Sequence, residues 1–175
     1  SQRHRIMFYD SSRFPFVEKL QDNWASVLTE YILLKTGTIP YFEHDLYRGE
    51  WDVFPFTVFG EKDEDRCKLC PKTWELVKDI PGLTTASFSI LRGATEIHPH
   101  TGFTDKVLRC HLGLKVPHGC AIIVGDQARR WKEGKCLIFD DTVEHSAYNK
   151  SDEDRVVLLL DFNKDELEKT LRTQD

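Results

Sequence analysis

The stretch TEIHPHTGFTDKVLRCHLGL, residues 95–114, decides the architecture, because two patterns meet in it. In its second half apolar and polar side chains alternate. Successive side chains of a strand point to opposite faces. Val107, Arg109, His111 and Gly113 therefore share one face, and Leu108, Cys110, Leu112 and Leu114 share the other. The apolar face belongs against helices, so the Arg/His face must look into a polar interior. A buried arginine is costly unless an anion meets it. In the first half, His98 and His100 flank a proline beside a turn.

Working outward, the runs TASFSIL, CAIIV, RRWKEGKCLIF and DRVVLLLDF have the same β-rich texture. They are separated by GATEIHPHTG, PHG, GDQA and DDTVEHSAYNKSDE, connections rich in turn-forming residues. Short strands punctuated in this way indicate an antiparallel sandwich or barrel. Arg155 opens a run that is otherwise apolar on both faces. Two arginines aimed into one small barrel imply a guest that is dianionic or carries two carboxylates.

Upstream, FVEKLQDNWASVLTEYILLK places Val17, Leu20, Trp24, Val27, Leu28 and Tyr31 three or four residues apart. That spacing predicts one amphipathic helix. Trp51, Phe54, Phe56, Val58 and Phe59 indicate short strands, EKDEDR reads as a charged loop, and CPKTWELVKDIPG as a short helix opened by Pro71. The tail NKDELEKTLRTQ reads as a helix capped by Asn163, with Glu166 completing a capping box. The fold class is α+β, mainly β, in one domain over residues 1–175. A helical part covers about 14–82, a β core about 83–162, and a C-terminal helix about 163–174.

Composition narrows the function. With 40% hydrophobic and 11% aromatic residues, the 175-residue chain can bury a single core. The net charge of −5 argues against a nucleic-acid partner, and Arg129-Arg130 with Lys132 reads as a solvated turn. No apolar run approaches the ~20 residues that span a bilayer. The chain opens abruptly at SQRHR, so a targeting or anchoring segment ahead of it is compatible with the sequence. Five irregularly spaced cysteines do not form a secreted disulfide framework and favour a reducing, cytoplasmic setting. Cys67 and Cys70 lack the second pair that a zinc site needs.

Neutral imidazoles suit iron, zinc, copper and nickel. His100 and His145 each stand beside a turn, and a jelly roll brings such strand ends together at its mouth. His98 precedes Pro99, which favours extended backbone, so it could share a face with His100. His4, His44 and His118 read as surface residues.

Four motifs in order, HPHTG, LRCHLGL, GKCLIFDDTVEHSAYN and DRVVLLLDF, resemble the aspartyl/asparaginyl β-hydroxylase family. The likeness continues through GEWDVFPF, CPKTWELVKDIP and SFSIL, so it covers about residues 49–162. The resemblance implies a double-stranded β-helix, a jelly-roll or cupin-like core, and an oxygenase using Fe(II), 2-oxoglutarate and O₂. His100 and His145 match the catalytic iron ligands. Ser89 and Arg155 match the pair at the distal carboxylate of 2-oxoglutarate, and Arg109 and His111 those at its metal-binding end. Trp51, Asp140 and Asp141 fall on the substrate side. The implied reaction hydroxylates an unactivated C–H, the β-carbon of an aspartyl or asparaginyl residue, while 2-oxoglutarate becomes succinate and CO₂. His98 matches no ligand.

The chain departs from the pattern of such oxygenases at Gly102, which stands where many carry a carboxylate ligand. A two-histidine iron with water in the third place is the implied arrangement. Asp105, Asp140 and Asp141 are the nearby acids, and the last two could orient His145 or a substrate. Val107 and Val53 replace an arginine and a glutamine of the peptide-hydroxylating members. A free amino acid, another peptide or a lipid-linked acyl group are therefore alternative substrates. Two further readings are a non-catalytic module that binds metal and 2-oxoglutarate, and a cupin-type site using His98 as a third ligand.

Overall fold

Two antiparallel sheets enclose the interior into which Arg109 and His111 project. The computed structural model describes residues 5–104, 106–166 and 168. In chain order the elements are β1 (Phe8–Tyr9), α1 (Phe16–Asp22), α2 (Trp24–Leu33), β2 (Ile39–Pro40), β3 (Tyr47–Arg48), β4 (Trp51–Val58), β5 (Glu61–Lys62), α3 (Glu64–Leu69) and α4 (Pro71–Val77). Then follow β6 (Leu83–Leu91), β7 (Thr95–His100), β8 (Val107–Lys115), β9 (Cys120–Val124), β10 (Gln127–Arg129), β11 (Cys136–Asp140), β12 (His145–Asn149) and β13 (Arg155–Asn163).

The larger sheet has the order β1-β11-β8-β13-β6-β4-β2, with β5 beside β4, and the smaller the order β10-β9-β12-β7-β3. From β6 onward the chain passes between the two sheets turn by turn, which is the double-stranded β-helix. The four helices cover the outer face of the larger sheet. Leu108, Cys110, Leu112 and Leu114 join Phe54, Phe56, Phe88 and the helix residues Val17, Leu20 and Val27 in that core. Strand β13 lies between β8 and β6 and is covered on both faces. That is why RVVLLLDF is apolar without alternation: Val156, Leu158 and Leu160 face the helices, and Val157 faces the barrel.

Several local expectations are corrected. The single helix over 16–35 is two, because the Asn23 side chain donates to the Lys19 carbonyl at 2.8 Å. That carbonyl is the one the next helical N–H would have used. The stretch EKDEDR is not a loop: Asp63 caps α3 by accepting the Arg66 N–H. GATEIHPHTG and DDTVEHSAYNKSDE were expected as connections, yet each contributes a strand of the smaller sheet, β7 and β12. RRWKEGKCLIF is not one run, since Arg129 ends β10 and Cys136 begins β11. The short strands expected around Trp51, Phe54, Phe56 and Val58 are one, β4, an eight-residue strand of the larger sheet. Pro55 sits where the β4–β6 pairing shifts register, a place that tolerates its missing N–H. At the C-terminus Asn163 Oδ1 accepts from the amides of Asp165 and Glu166. Residues 164–166 are helical, and most of the rest of the expected helix lies outside the described residues. Among the described residues no helix is long and apolar enough to cross a membrane.

Candidate active site

His100 ends β7 and His145 begins β12, and the two are direct cross-strand partners with ring centroids 4.4 Å apart. A bulge makes this possible. Ala147 pairs with Ile97 while His145 pairs with His100, so β7 carries one extra residue at His98-Pro99. The extra residue resets the alternation. Ile97 and His100 both line the interior cavity, and His98 is not among its lining residues. The expectation that His98 could share a face with His100 is thereby corrected. His44 and His118 are exposed, and His4 and Asp105 lie outside the described residues.

Both imidazoles have a defined tautomer. His100 Nδ1 is 2.8 Å from the His98 carbonyl, and His145 Nδ1 is 2.8 Å from the Val143 carbonyl. A carbonyl only accepts, so each Nδ1 carries the proton and each Nε2 presents a lone pair. Burial, with Arg109 nearby, pushes the His145 imidazole down to about 3. His145 Nε2 is buried without a hydrogen-bond partner. It faces Asp141 Oδ1 at 3.4 Å, which is also buried and accepts no hydrogen bond. The Arg109 guanidinium also approaches the carboxylate, with Nη1 3.3 Å from the same Oδ1, and a cation at His145 Nε2 would give that lone pair a partner. Among the described residues no three His, Cys, Asp or Glu side chains are grouped to hold an ion. The donor set is thus two imidazole nitrogens with a carboxylate alongside.

Deeper in the barrel lies a buried cation. Arg155 is only 2% exposed. Its Nη2 donates to the carbonyl and Oγ of Ser89, its guanidinium lies 4.5 Å over the Trp131 ring, and its Nε is unpartnered. Among the described residues no carboxylate pairs with it. Burial pushes it down to about 10, so it stays charged at neutral pH. Ser89 Oγ accepts from Trp51 Nε1 at 2.9 Å as well as from Arg155. Its lone pairs are occupied, and its own proton is left to donate. His111 Nδ1 accepts from Trp131 Nε1 at 3.0 Å, so Nε2 carries the proton, and that atom is buried without a partner. Burial, reinforced by Arg155 and Arg109, holds His111 well below its usual pKa and hence neutral. Ser89, His111, Arg155, His100 and His145 all line this one cavity. Gly113 helps to form it. A Cβ there would strike the Lys132 carbonyl, so glycine lets the 132–135 turn close over β8 and seat Trp131.

The remaining expected residues divide. Arg109 lines the cavity, but its Nε and Nη2 donate to the two carboxylate oxygens of Asp161 at 2.6 and 2.9 Å, and its Nη1 lies 3.3 Å from Asp141. Burial opposes its charge, yet these two carboxylates raise it above its ordinary range. Asp161 was not singled out from the sequence. It shares the barrel-facing side of β13 with Arg155, and that alternation was the available signal. Trp51 stacks on Tyr41 with centroids 3.8 Å apart, between the cavity and an outer groove. Asp140 stands apart from the site: its Oδ1 accepts from the amide and hydroxyl of Thr142. Asp141, by contrast, faces His145. A Cβ on Gly102 would collide with its carboxylate, so the acid reaches from another strand end into the space that glycine leaves.

The profile of the aspartyl/asparaginyl β-hydroxylase family matches residues 21–165. An ornithine lipid ester-linked acyl 2-hydroxylase of Rhizobium tropici is 40% identical over 169 residues, covering 89% of this chain and 60% of that protein. The human aspartyl/asparaginyl beta-hydroxylase is 34% identical over 155 residues, covering 83% of this chain but 20% of its own length. Among solved structures, a Pseudomonas putida prolyl-4-hydroxylase superposes with a TM-score of 0.59 at 13% identity, covering 93% of this chain and 95% of that one. It shows the shared fold.

Proposed function

We propose, from the premise that this chain belongs to the aspartyl/asparaginyl β-hydroxylase family, that it is an Fe(II)- and 2-oxoglutarate-dependent oxygenase hydroxylating an unactivated C–H bond. One observation carries this reading. Three buried polar atoms without hydrogen-bond partners, His145 Nε2, His111 Nε2 and Arg155 Nε, belong to residues that line one cavity. Unsatisfied buried groups are costly and call for explanation. A lone-pair nitrogen, a neutral N–H donor and an uncompensated guanidinium are together what a metal ion chelated by a keto diacid requires.

His100 and His145 would hold Fe(II) through Nε2, each ring oriented by the carbonyl that receives its Nδ1 proton. Arg155 and the Ser89 hydroxyl would hold the far carboxylate of 2-oxoglutarate, with the guanidinium fork supplying geometry as well as charge. The His111 Nε2–H would donate near the metal-binding end, and Trp131 keeps that proton on the correct nitrogen. When bound, Fe(II) with 2-oxoglutarate and O₂ supplies C–H hydroxylation: one oxygen atom becomes the product hydroxyl and the other enters succinate as CO₂ leaves. Keeping His145 and His111 neutral and fixing the ring tautomers are the tasks of this chain's own residues.

The relatives' names point to two carbons, the β-carbon of an aspartyl or asparaginyl residue and carbon 2 of an acyl chain. Each is a methylene beside a carbonyl group, and we take that as the common target. Anaerobic titration with Fe(II) and 2-oxoglutarate tests the cofactor assignment. A visible charge-transfer band is expected, together with succinate release once O₂ and substrate are added. Full succinate release after His145→Ala would remove the iron assignment.

A further inference from the structure

Nine large apolar side chains are exposed among the described residues, and five of them, Ile39, Phe42, Val58, Phe59 and Phe103, line one groove of about 470 Å³. Scattered exposed hydrophobics need no explanation, but a contiguous set around one concavity does. The phenylalanine rings touch. Phe42 and Phe103 stack with centroids 6.1 Å apart, and Phe59 meets Phe103 at 6.3 Å. Each is 64–66% exposed.

Phe59 also sits where its side chain is locally unfavourable. Val58 pairs with Glu61, so Phe59 and Gly60 form a two-residue hairpin turn, with φ of 49° and 82°. Such turns favour Asn, Asp or Gly at the first position. A phenylalanine there costs backbone energy and leaves the ring in solvent, which points to a role outside the fold.

The groove leads to the candidate iron site. Arg109, Asp141 and Trp51 belong to its floor, and Asp141 is 3.4 Å from His145 Nε2. Among the described residues two cations line the groove: Lys106 is exposed and stands 4.0 Å from Asp165, and Arg109 on the floor is already engaged. Arg109 is held by both oxygens of Asp161 and flanked by Asp141, two carboxylates against one guanidinium. Val53, Pro55, Val107 and Leu159 form apolar walls. The occupant that complements this charge and surface is an uncharged hydrocarbon chain.

We propose that the groove takes the acyl chain of a membrane lipid, and that the collar of Phe42, Phe59 and Phe103 enters the lipid layer that presents it. This rests on the hydroxylase reading above. An acyl C–H bond breaks and a C–OH bond forms, with O₂ supplying the hydroxyl oxygen and 2-oxoglutarate supplying the matching electron pair as it becomes succinate and CO₂.

The test is sedimentation of the full chain, free of Fe(II) and 2-oxoglutarate, with sucrose-loaded phosphatidylcholine vesicles. The unaltered chain is expected to co-sediment. The variant Phe42→Ser/Phe59→Asn/Phe103→Ser is expected to bind roughly tenfold more weakly or less, because three aromatic rings no longer leave water. Phe59→Asn alone suits the turn, so it is expected to melt at or above the unaltered chain and still bind vesicles more weakly. An unaltered chain that stays in the supernatant, or a triple variant that sediments equally well, overturns the inference. The two readings fail separately. Absent vesicle binding with an intact Fe(II)/2-oxoglutarate titration removes only the lipid assignment, whereas vesicle binding with a failed titration removes the hydroxylase.

Discussion

Asp141 Oδ1 and His145 Nε2 lie 3.4 Å apart in the barrel, both buried and neither with a hydrogen-bond partner. The Val143 carbonyl takes the ring's only proton at Nδ1, and burial holds the imidazole neutral. Asp141 reaches this corner because residue 102 is glycine. Many non-haem iron sites use two histidines and one carboxylate. Here the acid comes from the turn before β12 and stands beside His145.

Gly102→Ala should therefore destabilise the protein by about 1–3 kcal/mol, the usual cost of overpacking. The new Cβ meets the Asp141 carboxylate. In an Asp141→Gly background most of that cost should vanish, making the double variant less destabilised than the sum of the single changes in a double-mutant cycle read by urea unfolding. Additive single effects would show that the carboxylate does not occupy this space.

Arg155 carries a buried charge without a counterion among the described residues. Arg155→Met should leave the ligand-free protein as stable as before, or more stable by about 1–3 kcal/mol, since replacing a buried charge with an apolar chain removes a desolvation cost. The same change should weaken 2-oxoglutarate binding by roughly thirtyfold or more, the loss of a charge-assisted bond worth about 2 kcal/mol. Thermal melts with and without 2-oxoglutarate separate the two effects. A melt that drops equally in both conditions would make Arg155 a packing residue.

The Arg109–Asp161 pair should behave in the opposite way. Burial raises the Asp161 carboxyl above its ordinary range, and two parallel short hydrogen bonds from Arg109 oppose that rise. Asp161→Ala is expected to cost roughly 3 kcal/mol, because Arg109 loses its bidentate partner. Arg109→Met combined with Asp161→Leu should recover most of that loss. Chemical denaturation of the three variants measures it, and an unstable double variant would mean that the pair is worth more than its desolvation.

The thiols offer a check on the core. All five cysteines are unpaired and buried, and burial pushes Cys70 up to about 12. The thiolate is the reactive form, so at pH 8 a thiol reagent should label none rapidly in the native protein and all five after denaturation. Fast labelling of Cys67 or Cys70 in the native state would show that the α3–α4 corner opens.

Much of the framework was legible in local pattern. Alternation along 107–115 separated a helix-facing from a barrel-facing side, and the stripe Val17, Leu20, Trp24, Val27, Leu28 and Tyr31 packs on the larger sheet across two helices rather than one. The period of a strand or helix belongs to its own few residues, so reading it needs no knowledge of what lies across the sheet.

Tertiary structure alone decided the rest. His100 faces inward because an extra residue in β7 resets the alternation against β12, and only the pairing of two distant segments reveals it. Asp161 closes on Arg109 because β13 lies beside β8 in that register. Three phenylalanines from separate loops become one collar only when β2, β4 and the turn after β7 converge. The sequence by itself determined which faces of its strands are apolar and which residue types could meet a metal and a diacid. Where those residues meet depends on register and bulges, which are set by contacts between segments far apart in the chain, and no local pattern records them.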